Sequence, residues 1–178
     1  LIVKQYTLLT MKPLIYVANL GEEDLEDPMQ NPYYVQVLEF AKEEGSDVVP
    51  ICAKIEAELS ELDDTDKLEF LKEMGIDESG LDKLIKNAYS LLGLETFLTA
   101  GPDEVRAWTF KKGMKAPECA GIIHTDFQKG FIKAEVMSFV DLEKNGSELK
   151  VKEAGRMRLE GKEYVMQDGD ICYFRFNV

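Results

Sequence analysis

Two short stretches place polar side chains where a strand would hand over to a loop. Asn19-Leu20-Gly21-Glu22 follows the apolar run Pro13 to Ala18, and Cys52-Ala53-Lys54 closes the run that starts at Val48. Loops at the carboxyl ends of parallel strands are where open α/β sheets bind ligands, so an amide, a carboxylate and an ammonium there are candidates for ligand contact. Taken without context, the first stretch is a strand ending in a turn and the second a buried cysteine ending a strand. Other chemistries find little support. A lone histidine, His124, leaves a Ser/His/Asp triad and His-rich metal sites without their parts, and reads as a hydrogen-bonded structural residue. Cys52, Cys119 and Cys172 are odd in number and widely spaced, which fits reduced thiols better than disulfides or zinc ligands and points to a cytoplasmic setting. No metal site is expected.

The elements that would carry these loops follow from periodicity. The continuous apolar runs suit strands covered on both faces, as in parallel sheets. Between them Asn31 can cap a helix with Pro32 in its first turn, and Gly45 can end it. Strand, helix and strand make a βαβ unit, with an acidic loop from Glu22 to Pro28. Residues 55 to 92 read as helical: Glu56 to Leu62, then Asp66 to Met74, then a helix capped by Ser79 with Leu81, Leu84, Ile85, Ala88, Leu91 and Leu92 on one stripe. Past Gly93 the pattern changes. Glu95 to Ala100 and Glu104 to Phe110 flank the turn Gly101-Pro102-Asp103 as a hairpin. A short helix follows Pro117, and strands are expected at Phe131 to Phe139 and Ile171 to Phe176. The expected division is 1–93 and 94–178, an α/β part followed by a small α+β domain.

Charge separates the two parts. The chain of 178 residues carries a net charge of −13, of which −12 falls on residues 1–94 and −1 on 95–178. An acidic first part repels phosphate backbones, so nucleic-acid contact would fall on the second. No run approaches the roughly 20 apolar residues of a membrane span, and no signal peptide is evident. A first residue of Leu rather than Met suggests an excised piece.

Three stretches together resemble the YchF/Obg-like ATPases, a branch of the translation-factor-related P-loop GTPases. They are Lys12 to Glu22, Val49 to Glu58, and the block Phe97-x-Thr99-Ala100-Gly101, Val105-Arg106-Ala107-Trp108-Thr109, Ile123 to Ile132, Glu153-Ala154-Gly155 and Asp168-Gly169-Asp170. The resemblance implies a partial P-loop nucleotide-binding domain followed by a β-grasp, ubiquitin-like TGS domain. It implies a purine-recognition role for Asn19, Leu20, Glu22, Cys52, Ala53 and Lys54, with ATP (possibly GTP) and Mg²⁺ as the parent protein's ligands. Guanine-binding relatives carry Asn-Lys-x-Asp; here Leu20 and Glu22 depart from it, which removes the best reason to prefer guanine. Cys52 stands where the family has Ser. No G-x-x-x-x-G-K-[ST] occurs, so no catalytic residue is assigned and the Mg²⁺ ligands are not in this chain. Residues 1–12 are expected to be the return into the nucleotide domain.

The implied function is that of a ribosome-associated regulatory hydrolase's C-terminal portion, unable to hydrolyse ATP alone. The alternative is a non-catalytic RNA- or protein-binding module. Lys111, Lys112, Lys129, Lys133, Arg156 and Arg158, with Lys115, interleave with Trp108, Phe110, Phe127 and Phe131, a composition that suits RNA or, equally, a solvated face over core aromatics. A half-sheet lacking its neighbours also exposes an edge for dimerisation.

Overall fold

A computed structural model describes residues 3–101 and 104–177. Pro102 and Asp103 of the expected turn, and the first two residues, lie outside that range. The chain is a mixed α/β protein of two compact units that divide between Leu91 and Leu92.

The first unit is built on a parallel pair, β1 (Ile15–Asn19) and β2 (Asp47–Ile51), in register from Ile15 opposite Asp47 to Asn19 opposite Ile51. The one-turn helix α1 (Glu22–Leu25) and the crossover helix α2 (Pro32–Glu44) connect them. Asn31 Oδ1 accepts the N–H groups of Tyr33 and Tyr34, and Gly45 takes the left-handed conformation at φ 71° that ends α2. The acidic stretch expected to be loop therefore contains α1 and a 3₁₀ turn at Pro28–Gln30, whose Asp27 accepts from the Met29 N–H. Ile51 accepts from the Leu20 N–H at 2.8 Å, so the bonding side of β2 alternates to leave Pro50, which has no donor, on the outer edge.

Three helices follow: α3 (Ala53–Ser60), α4 (Asp64–Glu73) and α5 (Gly80–Leu92). The core of this unit is Cys52, Ile55, Leu59 and Leu71, with Leu25, Phe70, Met74 and Ile76 packed on it. The strand pair is not covered on both faces as its apolar run suggests. Val49 is buried, but Val17 is 45% exposed and Leu14 51%. The stripe on α5 is likewise open, with no residue of that helix buried. A continuous apolar run is thus insufficient to say which face another element will cover.

The second unit is a five-stranded sheet of β3 (Leu94–Ala100), β4 (Val105–Lys111), β5 (Phe131–Ser138), β6 (Arg158–Glu160) and β7 (Asp170–Phe176), in spatial order β4-β3-β7-β5-β6. All neighbours are antiparallel except β3 and β7 at its centre, which run parallel through Leu98 and Ile171. Helix α6 (Ala116–Ile123) buries Ala116, Cys119 and Ala120 against Phe97, Phe110, Phe131, Val136 and Cys172. The small residues on α6 let its backbone approach the aromatic layer closely. Alternation along the strands sends Met137 and Ile171 to the opposite face, where they form a second cluster with Val151.

Three short helices depart from the sequence reading: α7 (Thr125–Lys129), α8 (Phe139–Asn145) and α9 (Glu148–Glu153). Phe139, expected to end a strand, instead opens α8, because Ser138 Oγ accepts the Asp141 N–H and turns the chain out of the sheet. Ser147 does the same for α9.

Candidate functional site

The carboxyl ends of β1 and β2 lie side by side because the strands are parallel and in register. Beyond Ile51 the chain turns into α3 at Cys52, whose backbone is extended (φ −121°, ψ 107°) and whose side chain caps nothing. The first N–H of that helix still needs an acceptor. It finds one on the neighbouring loop: Asn19 Oδ1 accepts the Ala53 N–H at 3.0 Å. One residue further along α3, Lys54 Nζ donates to Glu22 Oε1 at 2.6 Å. These two contacts tie residues 19–22 to residues 53–54.

The ion pair is exposed on both sides, so solvent screens it and it adds little to stability. Its chemical consequence is larger than its energy. The hydrogen bond it donates to Glu22, then the charges of Glu22 and Glu58, hold the Lys54 ammonium's pKa above its ordinary value. The loop pair therefore presents a carboxylate that already has a cation on one oxygen. Leu20 is half-buried beside it.

Five of the six residues singled out from the sequence thus meet in one place with side chain or backbone at the surface. Cys52 does not join them through its thiol, which is buried and packed into the α3 core. It can offer a ligand only its backbone. Glu56 belongs to the same neighbourhood although it carries no candidate role in the sequence. Its Oε1 accepts the Gly80 N–H at 2.7 Å and so fixes the start of α5 against α3. A cleft of about 230 Å³ lies beside this contact, lined by Pro50, Ile51, Cys52, Glu56, Gly80 and Lys83 among others; of the six candidate residues only Cys52 lines it.

Comparison with known proteins bears on the whole chain. The family model YchF-GTPase_C, described as "Protein of unknown function (DUF933)", matches residues 94–177. The Bacillus subtilis ribosome-binding ATPase YchF is 59% identical over 177 residues, covering 99% of this chain and 48% of its own length. The Xenopus laevis Obg-like ATPase 1 is 46% identical over 178 residues, covering 99% of this chain and 44% of its own. The solved structure of the Schizosaccharomyces pombe YchF GTPase superposes with a TM-score of 0.85 at 37% identity, over 98% of this chain and 46% of that one. The chain belongs to the YchF/Obg-like ATPase family. It spans about half the length of the curated relatives it matches.

The basic residues of this YchF-family chain do not form one patch. Lys111 lies opposite Leu94 at the start of β3, and Lys133 opposite Arg175 near the end of β7. With Leu98 aligned to Ile171, the two lysines sit roughly 26 Å apart along the strands and about 14 Å across them. Lys112 pairs with Glu95 at 3.3 Å. Arg158 Nη2 bonds the buried Asp170 at 3.0 Å, and its guanidinium lies 5.3 Å from the Tyr164 ring centre. Arg158 is thus a fold residue. Among the described residues Lys111, Lys129, Lys133 and Arg156 form no ion pair. The aromatics named with them are core: Phe110 and Phe131 are buried, and Trp108 and Phe127 pack against the same cluster. His124 caps α7, its Nδ1 accepting the Asp126 N–H.

Proposed function

We propose that this chain is the base-recognition and TGS-bearing portion of a ribosome-associated P-loop nucleotide hydrolase. In this reading residues 1–93 complete a nucleotide-binding domain, and 94–178 form a β-grasp TGS domain. The purine of ATP lies against Asn19, Leu20 and Glu22 on one loop and Ala53 and Lys54 on the other. The observation that carries it is the pair of ties between those loops, Asn19 to Ala53 and Lys54 to Glu22. A purine needs a slot with an apolar floor and a short row of hydrogen-bonding groups, and Leu20 with the flanking polar atoms supplies that inventory.

The names of the relatives support the wider setting, since the bacterial ones are called ribosome-binding ATPases and the animal one an Obg-like ATPase. The phosphates and Mg²⁺ fall outside what these residues fit. There is no G-x-x-x-x-G-K-[ST] in the sequence to cradle phosphate, and among the described residues no group of three His, Cys, Asp or Glu could hold a metal. We therefore assign this chain base binding and positioning, and no hydrolytic step.

Titration of a fluorescent ATP analogue into the full natural polypeptide that carries these residues tests the reading. Binding that weakens several-fold in Asn19→Ala and Glu22→Ala supports it. Unchanged binding in both variants, with the fold intact by circular dichroism, sinks it.

A further inference from the structure

Helix α4 carries Asp64, Lys67, Leu68 and Leu71 at the i, i+3, i+4 and i+7 spacing of a single helical stripe. The stripe forms one wall of a groove of about 430 Å³ within the first unit. Leu59 and Ser60 of α3, and Leu81 and Asp82 at the start of α5, line its other sides. Leu59 and Leu71 are core residues and make an apolar floor. Leu68 and Leu81 flank that floor at 69% and 53% exposure. Two open leucines over a buried apolar floor are surface that a partner's side chains would cover.

Shape and charge narrow the partner. Apart from Ser79, every residue lining the groove lies on a helix. The walls therefore offer side-chain ridges rather than a strand edge, and a helix laid between them is the complementary form. The charged lining residues are Glu56, Asp64 and Asp82 against Lys67, which lies 4.0 Å from Asp64. Helix α4 adds Asp66, Glu69 and Glu73, and residues 1–94 as a whole are strongly acidic. That field repels phosphates and draws in Lys or Arg side chains beside an apolar row.

We propose that the groove docks a basic amphipathic helix of a partner protein. Its apolar row lies between Leu68 and Leu81, and its Lys or Arg side chains face Asp64 and Asp82. None of the six candidate base-binding residues lines this groove, so the proposal stands apart from nucleotide binding.

The probe is a fluorescein-labelled peptide of about 14 residues, or about four helical turns. It carries leucines at the i, i+3, i+4 and i+7 spacing and lysines elsewhere. Its anisotropy is followed as the full natural polypeptide is added. The patterned peptide is expected to bind, whereas the same residues ordered without an apolar face, and a leucine–glutamate peptide of the same pattern, are not. Leu68→Ser/Leu81→Ser should weaken binding about tenfold or more, and circular dichroism checks that this variant keeps its fold. Asp64→Asn/Asp82→Asn should weaken it and flatten its salt dependence. Glu39→Gln/Glu43→Gln removes two charges from α2, outside the groove, and should leave binding unchanged. Equal loss in the two charge variants would reveal diffuse attraction to an acidic surface and overturn the site. No binding of the patterned peptide, full affinity in Leu68→Ser/Leu81→Ser, or displacement of the peptide by a structured RNA would overturn it as well.

Discussion

Asn19 and Ala53 are 34 positions apart, yet the amide oxygen of one accepts the backbone N–H of the other at 3.0 Å. The bond substitutes for a missing helix cap, since Cys52 at the cap position of α3 offers no oxygen. Asn19→Ala should cost about 1 kcal/mol, the usual worth of such a cap. Asn19→Asp keeps an acceptor in place and should stay close to the parent. Urea denaturation midpoints of the two variants check this, and equal losses in both would mean that the bond is not what Asn19 contributes.

The start of α5 depends on a similar contact with less room around it. Gly80 donates to Glu56, and a Cβ added at Gly80 would lie 2.7 Å from Ile51 Cγ2 and 3.0 Å from Glu56 Oε1. Ile51 belongs to β2, so the clash would be felt in the strand that ends at the candidate site. Gly80→Ala is expected to destabilise by about 1–3 kcal/mol through overpacking. Glu56→Gln retains an acceptor oxygen and should cost less than Glu56→Ala. Thermal melts rank the three, and a neutral Gly80→Ala would show that α5 can shift freely against α3.

Much of this was legible in the sequence, for identifiable reasons. Asn31, Pro32 and Gly45 are cap and stop residues that act locally, so α2 ends within a residue of where they place it. The apolar runs 13–18 and 48–53 gave the parallel pair for the same reason. What local pattern misses is anything decided by a distant partner. Lys54 and Glu22 carry no mutual signal until β1 and β2 align their ends, and Glu56 gains its role only when Gly80 arrives. The short helices α7, α8 and α9 are too brief for a periodic stripe and are announced only by single caps at His124, Ser138 and Ser147. Arg158 belongs to the candidate basic set in the sequence, which does not show that Asp170 is buried beneath it.

Alkaline pH should weaken the second unit. Burial, with smaller effects from the neighbouring Glu118 and Asp170 charges, pushes the Cys119 thiol from its ordinary 9.0 up to about 12. Burial also raises Cys172 and Tyr164, the latter helped by its 2.7 Å hydrogen bond to Asp170. In each case the folded state holds the proton more tightly than the unfolded chain does. The associated stability is complete below the unfolded values and is lost as pH rises past them, from about 9 for the thiols and about 10 for the phenol. Denaturant midpoints should therefore fall steadily from about pH 9 towards about pH 12. Cys119→Ala/Cys172→Ala should flatten the lower part of that fall and Tyr164→Phe the upper part. A midpoint independent of pH across this range would contradict the burial of these groups.

If the second unit contacts RNA, the contact is local rather than spread over the sheet. Lys111 and Lys133 are held at opposite ends by the strand register, so one nucleic-acid segment of a few nucleotides cannot engage both. Phosphate contacts by Lys111 and Lys112 at the end of β4 would give affinity that falls with salt, with each lysine contributing about one unit of slope. Lys112 is partly neutralised by Glu95, so Lys111→Glu should weaken binding more than Lys112→Glu. Lys133→Glu should leave binding at the β4 end unchanged. Filter binding of a structured RNA at low and high salt measures all three. Affinity indifferent to salt, or equal loss in Lys111→Glu and Lys133→Glu, would remove the end of β4 as the footprint and favour a protein contact instead.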